Sequence, residues 1–133
     1  MKTVTASSDP TPRSTERDLA QGLALDHSRL CARVALENKA KDVLILDMRA
    51  ITPLFDYFVV ATGTSRRQVH TLAEEIDAAM RVEGETRHGL EGYEPGRWVV
   101  LDYGDVVVHL FDPEMRAYYV LEDLWADAPR VEF

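Results

Sequence analysis

A chain of 133 residues with a 46% apolar fraction has room for one well-packed domain. Its longest apolar runs, VLIL and YFVVA, fall far short of the roughly 20 residues that a membrane helix needs, and its polar start lacks the features of a secretory or transit signal, so a soluble, cytoplasmic protein is expected. The net charge of −8 is concentrated in residues 84–133, with 11 acidic against 4 basic residues, which disfavours phosphate backbones but not a basic protein partner, and on charge alone reads first as serving solubility; the single cysteine, Cys31, excludes an internal disulfide or a paired-cysteine zinc site and reads as a core thiol.

Residues 1–15, rich in Ser, Thr and Pro, read as a disordered tail, residues 16–128 as the domain and residues 129–133 as a C-terminal tail. A helical stripe of Leu19, Leu23, Leu30 and Val34 begins at Thr15, or the helix starts near Asp26, capped by Asp26 or Ser28. VLILDM and YFVVAT are strands without polar alternation, which predicts burial on two faces; Pro53 breaks the segment between them. TSRRQVHTLAEEIDAAMRVEG is the clearest helix, with Val69, Leu72, Ala73, Ile76, Ala79 and Met80 on one face. Ser65 and Gln68 have the spacing of a capping box, and Gly84 ends the helix. After a glycine-rich loop over residues 85–97, which has room for one short edge strand near Arg87, WVVLDYGDVVVHLF forms a hairpin and DPEMRAYYVLEDLW a last helix, with Asp112 as cap and Pro113 at its first position. The order α β β α, loop, β β α predicts a mixed β-sheet flanked by α-helices, an α/β (α+β) fold.

The hairpin holds the residues that invite a chemical reading. A two-residue loop at Tyr103-Gly104 would set Asp102 against Asp105 and force Tyr103 to positive φ, so a three-residue loop with a left-handed Gly104 is preferred. That register puts Trp98, Val100, Val106, Val108 and Leu110 on one face and Val99, Leu101, Val107, His109 and Phe111 on the other. Both faces are then apolar and need covering by helices, a second copy or a partner. The Gly63-Thr64-Ser65 corner is reminiscent of nucleotidyltransferases, the alternative reading. Those enzymes need an Asp-x-Asp, and the spacing of Asp102 and Asp105 is wrong by one. His27, His70, His88 and His109 lie in separate elements without metal-ligand spacing. Arg66 and Arg67 occupy the first turn of a helix, where the dipole disfavours cations, and read as either an anion site or a tolerated pair.

Taken together, DYFVVATGTSRRQV, the Glu91-Gly92 pair, WVVLDYGDVVVHLF and RAYYVLEDLW resemble the ribosomal silencing factor family, RsfS, also called the Iojap family, over roughly residues 28–126. The resemblance implies a non-enzyme without a cofactor, whose fold is that of a nucleotidyltransferase lacking its catalytic metal ligands. It implies binding to large-subunit ribosomal protein fourteen (uL14), steric exclusion of the small subunit and damped translation in starvation; large-subunit assembly is the alternative known among organelle members. By matching positions it assigns partner contact to Trp98, Asp102, Tyr103, Asp105, His109, Phe111, Arg116, Tyr119 and Glu122, and fold-building roles to Asp56, Gly63, Thr64 and Ser65. A homodimer of the free protein is a further expectation, and sequence-specific nucleic-acid binding is not expected.

Overall fold

The computed structural model describes residues 12–119, 123 and 125–133. Helix α1 spans Pro12–Glu37, so it begins inside the segment read as tail and runs through Asp26 without a break. Ser28 does not start a new helix because its hydroxyl donates back to the Leu25 carbonyl at 2.8 Å, an interaction internal to the helix. Small side chains at Ala24, Cys31, Ala32 and Ala35 are buried and let α1 lie close against the sheet. Burial pushes the Cys31 thiol up to about 12, as befits an inert core group.

Strands β1 (Lys41–Asp47) and β2 (Tyr57–Thr62) pair antiparallel, and every residue of β2 is buried, as its continuous apolar run predicts. Helix α2 (Arg66–Val82) is capped by Ser65, whose Oγ accepts the Gln68 amide at 3.1 Å. The second half of the capping box is different. Gln68 Oε1 accepts from the amide and hydroxyl of Thr64, and its Nε2 donates to the carbonyls of Asn38 and Lys39. One side chain thereby ties the start of α2 to the end of α1. Arg66 is the tolerated kind of first-turn cation, since its Nε donates to the Glu94 carbonyl at 2.7 Å.

Strands β3 (Gly89–Glu91), β4 (Trp98–Asp102) and β5 (Val106–Phe111), helix α3 (Pro113–Tyr119) and strand β6 (Arg130–Val131) follow. They complete a six-stranded sheet in the order β3-β4-β5-β2-β1-β6, with β5 parallel to β2 and the other neighbours antiparallel. The segment read as a C-terminal tail is therefore a sheet edge: Arg130 and Val131 pair with Leu46 and Ile45, and Asp47 donates its amide to the Pro129 carbonyl at 2.8 Å.

The hairpin register differs from the expectation by three residues, since Leu101 faces Val108 rather than Asp105. Trp98 pairs with Phe111 and Asp102 with Val107, and the Tyr103 amide donates to the Val106 carbonyl, leaving Gly104-Asp105 as the loop. Gly104 takes φ +89° at the first loop position, which a type II′ turn requires and which glycine alone supplies cheaply. Because side chains alternate with a period of two, a shift by an odd number of residues exchanges the faces of one strand relative to the other. Val99, Leu101, Val106, Val108 and Leu110 pack with α1 and α2 in the main core. Trp98, Val100, Val107, His109 and Phe111 belong to the opposite face, where Phe58, Val60, Met115 and Trp125 join them. The first face is thus covered by two long helices, and the second by short C-terminal pieces.

Candidate functional site

The open end of the hairpin gathers an aromatic cluster on that second face. Asp112 starts α3 as the sequence predicts: its Oδ1 accepts the Met115 amide at 2.8 Å, and Pro113 holds the first helical position, where no amide is needed. The Asp112 amide donates to the Arg97 carbonyl, while the Arg97 guanidinium reaches the Asp112 and Glu114 carboxylates. These bonds fold the first turn of α3 back over the start of β4. Tyr119 then meets the Trp98 indole with ring centroids 4.7 Å apart, and Trp98 lies on Phe111 at 5.1 Å. Tyr118 and Tyr119 remain 76% and 36% exposed, and Trp98 is half-buried. An exposed aromatic group framed by Arg97, Asp112 and Glu114 is a composition that interface centres favour.

Beneath this surface lie side chains that shape it. His109 is 7% exposed; its Nδ1 accepts the Trp98 indole N–H at 3.2 Å, and its ring meets the edge of Phe58 at 4.7 Å. Acceptance at Nδ1 selects the neutral tautomer with its proton on Nε2, and that atom has no hydrogen-bond partner among the described residues. An orphaned buried donor costs about 1–3 kcal/mol. Arg116 is also buried and donates to Thr62 Oγ1 at 2.7 Å, joining α3 to β2.

Burial pushes the His109 imidazole down to about 4 from an ordinary value of 6.5. The unfolded chain then takes up a proton that the folded one refuses. The contribution of His109 to stability is full above pH 6.5 and is lost as pH falls, the loss being complete near pH 4 and amounting to up to about 3 kcal/mol. Urea unfolding at pH 7.0, 5.5 and 4.5 should show this fall in the wild type and a shallower one in His109→Phe. Parallel curves for the two proteins would contradict it.

The nine residues assigned by resemblance do not converge. Trp98 and Tyr119 form the exposed cluster, with His109, Phe111 and Arg116 buried behind it. Asp102, Tyr103 and Asp105 are at the opposite end of the hairpin, about 13 Å away at the rise of a strand. Glu122 lies outside the described residues. At the hairpin tip Asp102 Oδ1 accepts the Gly104 amide at 2.8 Å and so shapes the turn. Tyr103, only 4% exposed, turns inward and donates its hydroxyl to Asp77 Oδ1 at 2.7 Å. It is a core residue rather than a surface contact. Asp105 is exposed, and its negative charge, after burial, helps hold the nearby Asp56 carboxyl above the usual carboxylate range. Among the described residues no group of three or more His, Cys, Asp or Glu is arranged to hold a metal ion, and no helix is long and apolar enough to cross a membrane.

Asp77 is the residue that sequence reasoning missed. Its carboxylate is buried between α2 and the sheet, where it accepts from Tyr103 and, at 2.8 Å, from Arg87. Its spacing offered a signal: four residues after Ala73 and eight after Val69, it belongs to the apolar stripe of α2.

Residues 23–133 match the family model described as a ribosomal silencing factor during starvation. The chain belongs to the ribosomal silencing factor family. Bacterial ribosomal silencing factors show the resemblance over most of their length: that of Halalkalibacterium halodurans is 43% identical over 104 residues, covering 78% of this chain and 89% of its own. The mouse protein named mitochondrial assembly of ribosomal large subunit protein 1 is 30% identical over 107 residues, covering 78% of this chain but only 46% of its own. Among solved structures, a crystal structure of a Chromobacterium violaceum protein superposes with a TM-score of 0.75 at 39% identity, covering 83% of this chain and 91% of that one. Relative to the matched silencing-factor region, the first turns of α1 are an addition at the N-terminal side.

Proposed function

We propose that this chain represses translation by occupying a surface. Its aromatic cluster docks on the large ribosomal subunit through uL14, so that the small subunit is denied the same space. The observation that carries this reading is the exposed Tyr118, Tyr119 and half-buried Trp98 at the open end of the hairpin, framed by Asp112, Glu114 and the Arg97 that pairs with both, in a chain of net charge −8. Ribosomal proteins are mostly basic; an anionic surface orients their approach, and a few desolvated aromatic groups supply the affinity. Asp105, at the far end of the hairpin, contributes to the field rather than to the contact.

Occupancy without turnover is supported by how the carboxylates are used. Asp102 holds a turn, Asp112 caps a helix and Asp77 is committed to Tyr103 and Arg87. The names of the relatives support a ribosome-associated protein, which the proposal places in the cytoplasm, and the name of the mouse relative favours a role in large-subunit assembly as the second reading. A homodimer formed through the same aromatic cluster would keep the free protein from docking.

Sedimentation with purified subunits tests the proposal. The protein should travel with isolated large subunits and lower the fraction of joined ribosomes in proportion to its occupancy. Travel with small subunits alone, or large-subunit binding that leaves joining untouched, would overturn it.

A further inference from the structure

The indole of Trp98 carries one polar hydrogen, and the fold has already used it. The Trp98 Nε1 donates at 3.2 Å to Nδ1 of His109, a side chain that is itself more than nine-tenths buried on the sheet and fixed by the edge of Phe58. The pairing of Val100 with His109 across the strands places the imidazole two residues along β4 from Trp98, on the same face. Phe111 and Tyr119 bracket the indole ring at 5.1 and 4.7 Å. The polar edge of Trp98 is therefore turned toward the sheet, and what it offers at the surface is carbon.

We propose that His109 is a positioning residue for docking: by accepting the indole N–H it fixes the rotamer of Trp98 and presents a donor-free aromatic surface to the partner. The inference rests on the docking role assigned to this cluster. It assigns the partner group that meets Trp98 to a definite chemical class, the aliphatic stem or cationic head of a lysine or arginine lying over the ring, and excludes a hydrogen-bond acceptor aimed at its edge. A buried imidazole set among Phe58, Phe111 and Trp98, with its other nitrogen without a hydrogen-bond partner among the described residues, has its described use in that one bond. Phenylalanine would fill the same space among Phe58 and Phe111 but could not accept the proton.

A double-mutant cycle on the full chain tests this, with isolated large subunits as the probe. His109→Phe should lower affinity about fivefold, the scale of one lost neutral hydrogen bond. His109→Asn, whose Oδ1 takes the place of Nδ1, should restore affinity to within about twofold. In a Trp98→Phe background His109→Phe should change nothing further, because no indole proton remains to be held. The indole N–H resonance of Trp98, assigned by its loss in Trp98→Phe, should move upfield in His109→Phe and stay in place in His109→Asn. Equal losses for the Phe and Asn variants, or a His109→Phe penalty that persists in the Trp98→Phe background, would overturn the proposal. A wild type that fails to bind large subunits while the resonance still responds as expected would remove the docking role and leave the indole bond as packing.

Discussion

Trp98→Ala is expected to reduce affinity for isolated large subunits by at least about thirtyfold, equivalent to about 2 kcal/mol, the threshold that marks a dominant interface residue. Three features make this side chain the centre of the surface. It touches Phe111 below and Tyr119 beside it, its polar atom is satisfied within the protein, and it is still half-exposed. Removing the ring takes away the carbon surface a partner would cover and the support for Tyr119. The fold has less to lose, since the main core lies on the other side of the sheet under α1 and α2. Equilibrium sedimentation with labelled subunits, alongside a far-ultraviolet spectrum of the variant, checks both parts. Undiminished binding by a folded Trp98→Ala protein would move the docking surface elsewhere.

Asp77→Ala is expected to cost about 2–4 kcal/mol of folding stability, a large share of the 5–15 kcal/mol typical of a single domain. Two groups lose their acceptor. The Tyr103 hydroxyl is buried, whereas Arg87, at 36% side-chain exposure, can be rehydrated in part. That difference keeps the expected cost below that of a fully enclosed ion pair. Asp77→Asn should recover most of the loss because its carbonyl still accepts from Tyr103. Urea denaturation at pH 7 measures the ladder. A loss under 1 kcal/mol for Asp77→Ala would mean that the network relaxes without it. The folded fraction of the alanine variant should still bind large subunits, since Asp77 is on the helix side of the sheet and Trp98 is on the other.

Local chemistry was legible wherever a residue acts on its own neighbours. Ser65 and Asp112 cap their helices as read, the run from Tyr57 to Thr62 is buried on both faces, and the order of elements closes into a mixed sheet under helices. The family resemblance, carried by the hairpin and the segments around it, was equally visible. The hairpin faces were not, because Gly104 suits both a three-residue loop that it ends and a two-residue loop that it begins, and only pairing across the sheet selects between them. The same holds for the fate of the assigned contact residues. The resemblance assigned partner contact to Tyr103, His109 and Arg116, but their burial depends on Asp77, Trp98 and Thr62, which lie 26, 11 and 54 residues away in the chain.

What the sequence determined by itself was the inventory: the caps, the interior strand, the acidic C-terminal part and the aromatic residues around the hairpin. What the tertiary structure alone decided was which of those aromatics reach the surface and which stand behind them. The physical reason is that caps and turns are settled within four residues, whereas exposure is set by hydrogen bonds and packing between segments that meet only when the sheet is assembled.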